Sequence, residues 1–167
     1  MPVPPHIARL RAAVGSELLL LPSASVLPVD EADRLLLVRH RGHHDGWGLV
    51  GGAVEFGESP AEAAVREARE EIGVEIRLRR LLDVLGGRDY EVSYPHGDRV
   101  AYVTAVYEAE IVAGTPLADG DELSEVRWFD RRELFDLPLS RFAGAVLRAT
   151  GQLGATGQLR DGTPDST

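Results

Sequence analysis

Cysteine is absent from this sequence of 167 residues, which excludes disulfides, iron–sulfur clusters and thiolate zinc sites. Lysine is absent too: all 18 basic residues are arginine, a bias read as genome composition rather than function. Long apolar runs are missing. The nearest candidate, "LLLL" at 18–21, follows Glu17 and stops at Pro22, far short of the ~20 residues a membrane span needs. No membrane association and no secretory signal are expected, the N-terminus reads as that of a mature protein, and the cytoplasm is the expected compartment. Positive charge is scarce. The 27 acids outnumber the arginines and give a formal net charge of −9, so no basic patch for a nucleic-acid backbone is expected. If the ligand is anionic, something cationic must stand between it and this chain.

What is present is an ordinary globular balance, 44% hydrophobic and 27% charged, in a length that suits one domain with a real core. Ile7, Leu10 and Val14 have helical spacing, ended by Gly15. Apolar stretches around 17–21 and 24–29 read as strands broken at Pro22 and Pro28, and "RLLLVRH" as a buried strand. "RGHHDG" at 41–46 is a loop and "WGLV" a short strand running into Gly51-Gly52. Ser59, Pro60 and Glu62 form an N-terminal helix signature with a capping box, and Gly73 ends that helix. "VEIRL" and "LLDVLGG" read as two strands, 89–98 as a turn-rich insertion, 99–111 as a long strand and "EVRWF" as another. Helices are expected over 131–136 and 139–149. The expected domain is 1–150, with 151–167 a disordered tail.

The stretch "GGAVEFGESPAEAAVREAREEIGV" at 51–74 gathers Glu67, Glu70 and Glu71 within about one turn of the main helix. Like charges at that spacing repel. On a helical wheel they span about 100° beside an apolar stripe of Ala61, Ala64, Val65, Ala68 and Ile72. That places the carboxylates at the rim of the packed face, where three can converge on one point. Hard oxygen ligands in this arrangement suit Mg²⁺ or Mn²⁺. The plainer alternative is a solvated charged face laced by the Glu62–Arg66 and Arg66–Glu70 pairs.

The longer pattern goes further. Gly52, Glu58, Arg66-Glu67, Ala68, Glu70-Glu71, Gly73 and Val74 fall at the spacing G-x5-E-x7-R-E-U-x-E-E-x-G-U, which resembles the Nudix box at every fixed position. Val50 stands where the family usually has proline before the two glycines, a difference in loop stiffness. The resemblance implies an α/β/α sandwich with a mixed β-sheet in a single domain. It also implies a Mg²⁺- or Mn²⁺-dependent pyrophosphohydrolase that cleaves a nucleoside diphosphate linked to another group by attack of water on phosphorus. In that likeness Glu67, Glu70, Glu71 and the Gly51 carbonyl are metal ligands, and Arg66 and Glu58 pair to hold loop and helix in register. Glu71 is the favoured base. Glu122 is the candidate ligand from a later loop, with Asp121 and Glu125 as its neighbours.

For the substrate, the family links a tyrosine sixteen to eighteen residues after the box to dinucleoside polyphosphates, and a proline about fifteen on to ADP-ribose. Tyr90 stands in the first slot and Asp89 in the second, with Tyr94 and Pro95 as alternatives. A nucleoside triphosphate is the remaining class. Tyr90, His44 and Trp47 are the expected substrate contacts. Their plainer alternatives are a packed tyrosine, an exposed loop shared by His43 and His44, and a core tryptophan, Trp128 being the better core candidate of the two. The rival function is a catalytically silent nucleotide sensor on the same scaffold. A cysteine-dependent isomerase is excluded. A homodimer through "ELLLLPSASVLPV" is the expected assembly.

Overall fold

Two strands set the layers. β1 (Leu19–Pro28) directs Leu27 to one side and Ala24 and Val26 to the other; β2 (Leu35–His40) separates Leu35 and Leu37 from Leu36 and Val38. Successive side chains in a strand point to opposite faces, so a strand covered on both sides reads as one unbroken apolar run. The computed structural model describes residues 5–41, 46–94, 96–118 and 120–154. Its remaining elements are α1 (Pro5–Val14), β3 (Val50–Ala53), α2 (Pro60–Ile72), β4 (Glu75–Leu85), β5 (Glu91–Ser93), β6 (Arg99–Ala113), β7 (Leu123–Phe129) and α3 (Arg141–Ala149).

The main sheet has the order β3-β1-β6-β4, with β5 pairing β6; β2 and β7 form a second, antiparallel pair. β1 and β6 are parallel, and every other pairing is antiparallel. On one face α2 closes a core of Ala24, Val26, Val50, Ala64, Ala68 and Ile72. On the other, α3 and the β2–β7 pair bury Leu27, Val106, Phe129, Val146 and Leu147, each large apolar group contributing ~1.5–3 kcal/mol. This is the α/β/α sandwich with a mixed sheet that the family resemblance implies. Among the described residues no helix is long and apolar enough to cross a membrane.

Several expected boundaries shift. β1 runs straight through Pro22. The Pro22 carbonyl accepts from Val54 N at 3.1 Å, so its edge lacking an N–H faces the end of β3, and the ladder to β6 loses no bond. The two strands expected after Gly73 are one, β4, which bends through register shifts rather than breaking. The insertion at 89–98 contains a 3-10 turn (Arg88–Tyr90) and β5. The helix expected at 131–136 is only a 3-10 turn, Glu133–Phe135, and α3 starts at Arg141 because the Ser140 hydroxyl caps it by accepting from Ala143 N. Residues 151–154 are not the disordered tail expected from Gly151: Leu153 is buried in the α3-side core and its N–H donates to Leu147 O. Residues 155–167, the rest of that expected tail, lie outside the described residues. Of the two tryptophans, Trp47 is the more buried, edge-on to Phe129 at 4.7 Å, while Trp128 is half-buried.

Candidate active site

The caps that fix α2 are those the sequence predicts. The Ser59 hydroxyl accepts from Glu62 N, Glu62 accepts from Ser59 N, and Gly73 adopts φ 69° as the left-handed cap. With its ends set, the helix buries Ala63, Ala64, Glu67, Ala68, Glu71 and Ile72. Glu67 and Glu71 are therefore part of the packed face, 2% and 4% exposed, and not at its rim as the wheel suggested. Glu70, between them, points outward with 43% of its side chain exposed.

Two glycines make room. A Cβ on Gly51, whose φ is 144°, would sit 2.2 Å from the Ala24 carbonyl oxygen, and one on Gly52 would sit 2.3 Å from Glu67 Oε1. Only backbone without side chains lets β3 lie this close to β1 and to a buried carboxylate. Gly51 N donates to Glu71 Oε2 at 3.0 Å.

Arg66 organises the rest. Its Nε and Nη2 donate to the two Glu58 oxygens (3.1 and 2.7 Å), a fork-to-fork pair. Nη2 also reaches Ala53 O at 3.1 Å, while Nη1 donates to Glu67 Oε1 at 2.8 Å and Glu70 Oε2 at 3.0 Å. The Arg66 hydrogen bonds hold the Glu58 carboxyl below its ordinary range against the opposing effect of burial. For Glu67 the balance reverses: burial pushes the carboxyl up despite Arg66. Its Oε2 is buried with no hydrogen-bond partner, which is costly for a carboxylate.

These groups border a cavity of about 450 Å³ whose wall includes Ser23, Ser25, Gly51, Glu67, Glu71 and Glu122. Glu122 reaches it from the loop before β7, where its carbonyl accepts from Arg41 N at 2.7 Å. Its neighbour Glu125 instead pairs with Arg39. Sequence reasoning missed His40, which lines the cavity with Nδ1 3.9 Å from Glu71 Oε1. The available signal was its place at the end of a strand leading into the loop, opposite Leu123 and hence beside Glu122.

Other expected site residues are not brought together. Glu70 does not line the cavity. Tyr90 is buried in the α3-side core, edge-on to Phe142 at 5.8 Å, because the 3-10 turn rotates it inward; Tyr94 lines the cavity in its place. Trp47 belongs to that core as well. His44, with its neighbour His43, lies outside the described residues, as does Pro95.

Among the described residues no three His, Asp or Glu side chains converge in metal-binding geometry, since Arg66 draws Glu67 Oε1 and Glu70 Oε2 to itself. The residues still fit a hard divalent cation. Every donor is oxygen, Glu67 Oε2 has no partner, and the space beside it is open only because residue 52 is glycine.

A model of the NUDIX domain matches residues 19–149. The NAD-capped RNA hydrolase NudC of Pseudomonas aeruginosa is 34% identical over 141 residues, 76% of this chain and 47% of that one. A candidate 8-oxo-dGTP diphosphatase of Mycobacterium tuberculosis is 35% identical over 118 residues, 67% of this chain and 52% of that one. The chain thus spans about half the length of these curated relatives. Among solved structures, a MutT NUDIX hydrolase from Burkholderia pseudomallei is similar with a TM-score of 0.60 at 26% identity, covering 81% of this chain and 98% of that one.

Proposed function

The chain belongs to the NUDIX domain family, and from that premise we propose that it is a Mg²⁺- or Mn²⁺-dependent pyrophosphohydrolase acting on a nucleoside diphosphate linked to a second group. The observation that carries this reading is the buried pair Glu67 and Glu71 over Gly51-Gly52, with Glu67 Oε2 unpartnered at a cavity wall. An acidic, desolvated site of this kind has little use unless a cation and an anionic ligand meet in it.

Glu67, Glu71, Glu70, the Gly51 carbonyl and Glu122 are the groups proposed to hold the cation. When bound, it supplies positive charge against the pyrophosphate oxygens and acidifies water. The protein's own groups do the rest. Glu71, held by Gly51 N, orients the attacking water and takes its proton on Oε1. Arg66 keeps Glu58 and the strand end at Ala53 fixed to the helix that carries the acids, so the acids keep their aim through turnover. Glu70 would join the set only on giving up its hydrogen bond from Arg66 Nη1.

The substrate subclass stays open between dinucleoside polyphosphates, ADP-ribose and nucleoside triphosphates. The tyrosine that favoured the first is Tyr90, which is core, and the two curated relatives are named for different substrates. The name of the first also keeps capped RNA among the ligands to try. A silent sensor is the second reading, supported by Arg66 occupying two of the three acids. Phosphate release from a nucleotide panel separates the two, since a sensor binds and releases nothing.

A homodimer is part of the proposal. Leu20, Leu81, Val84 and Val103 stand 40–71% exposed on the α2-side face of the sheet, beyond the helix, and a second copy would cover them. We further propose the cytoplasm as the compartment and a single domain whose core extends past residue 150 to Leu153.

A further inference from the structure

The family match begins at residue 19, so α1 lies outside it. Yet Ile7 and Arg11 of α1 wall the same cavity that Glu67 and Glu71 line. We infer that α1 closes a recognition subsite for a neutral, planar heteroaromatic ring of the nucleobase kind, with Ile7 and Ser23 as specificity-determining residues. The inference rests on the pyrophosphohydrolase reading for the rest of the ligand.

The two ends of the cavity differ in chemistry. The Gly51 end is acidic. At the α1 end Ile7 is buried against Leu21 and Val100, with Tyr94 and Tyr102 packed beside them. Tyr102 stands edge-on to Phe142 (6.1 Å, 83°) and shares a 2.7 Å hydroxyl–hydroxyl bond with Tyr94. Asp98 balances the charge of Arg11, whose buried Nε makes no hydrogen bond among the described residues and so offers a second donor at this end of the cavity. Its Nε is 3.0 Å from Asp98, and its other nitrogens donate to the carbonyls of Gly15, Glu17 and Arg99. It is a positioning residue that ties α1 to β6, and the end it seals suits an uncharged ring better than a phosphate.

Ser23 supplies the polar contact. By strand alternation it lies on the same face as Leu21 and Ser25. The Ser25 hydroxyl bonds Thr104 at 3.0 Å, whereas Ser23, 5% exposed, has a buried hydroxyl with no partner. Such orphans are uncommon, and the polar edge of a ring satisfies this one. Ser25 pairs with Gly51 in register, so the ~13 Å from Leu21 to Ser25 along β1 lets one elongated ligand reach both ends.

The test uses the full chain in EDTA, titrated calorimetrically with adenosine, guanosine, cytidine and uridine, and with ribose 5-phosphate as the control that lacks a base. At least one nucleoside binds and ribose 5-phosphate does not. Ile7→Trp weakens that affinity at least tenfold. Ser23→Ala weakens it about three- to tenfold while leaving the melting temperature unchanged or higher. Should Ile7→Trp fail to fold, Ser23→Ala decides. No nucleoside binding, or unchanged affinity in folded variants, overturns the inference. These arms need neither cation nor pyrophosphate. Nucleoside binding without hydrolysis would therefore defeat only the proposed activity, and hydrolysis without nucleoside binding only the subsite.

Discussion

Glu67, Glu70 and Glu71 lie within about one helical turn but differ in environment, and the difference assigns their expected phenotypes. Glu71→Gln keeps the shape of the buried side chain and removes its basicity, so turnover at saturating Mg²⁺ should fall about 10²–10⁴-fold; unimpaired turnover would remove Glu71 from the role of base. Gly52→Ala should lower turnover at least tenfold, because a Cβ 2.3 Å from Glu67 Oε1 displaces the carboxylate; a full Mg²⁺ titration of that variant is the check. Glu58 gives a pH signature. Its carboxyl titrates below the ordinary 4.5 because of Arg66, so the pair stabilises the fold above the unfolded-state value and that stability is lost as pH falls through the lower, folded one. Glu58→Gln should cost about 1–3 kcal/mol at pH 7, with the gap to the native protein closing in acid below that range, as followed by denaturant melts. The grouping of the three acids was legible in the sequence. Which of them is buried was not, because a wheel gives relative azimuth, and the absolute setting depends on Gly52 leaving space across from Glu67. His40 stayed hidden for a similar reason: its nearness to Glu71 arises from strand pairing, not spacing.

Elements with local signals are legible in the sequence. α2 carries its start in Ser59, Pro60 and Glu62 and its stop in Gly73, and the structure uses each of them. Ser59→Ala should cost about 1 kcal/mol, and Gly73→Ala about 1–2 kcal/mol, since alanine must take φ 69°; urea melts measure both, and a neutral result at either site would contradict the cap assigned there. Elements whose extent depends on partners are less legible. Pro22 looked like a strand break because its side of the ladder is a tertiary fact. β5 is three residues long and exists through pairing with β6. Tyr90 looked like a ligand contact until the 3-10 turn before β5 directed it into the core.

For the whole molecule, the class of fold was legible through the family resemblance, while the sheet order was not. The parallel neighbours β1 and β6 are about eighty residues apart, and no local pattern pairs them. Their alignment brings Ser23 and Ser25 of one strand and Val100 and Tyr102 of the other to the cavity wall. It also leaves Leu20 and Val103 exposed together, and light scattering at micromolar concentration should accordingly give twice the chain mass; a monomer there would dispose of the dimer. The role proposed for the buried acids is hydrolysis of a phosphoric anhydride. The most direct measurement is phosphate release, coupled to a phosphatase, from nucleotides spanning ADP-ribose, diadenosine polyphosphates and nucleoside triphosphates. It would be run with Mg²⁺ or Mn²⁺ and with EDTA. Release from at least one substrate with a cation, abolished by EDTA and by Glu71→Gln, is the predicted result. Binding of nucleotides by the folded protein with no release under either cation would contradict it.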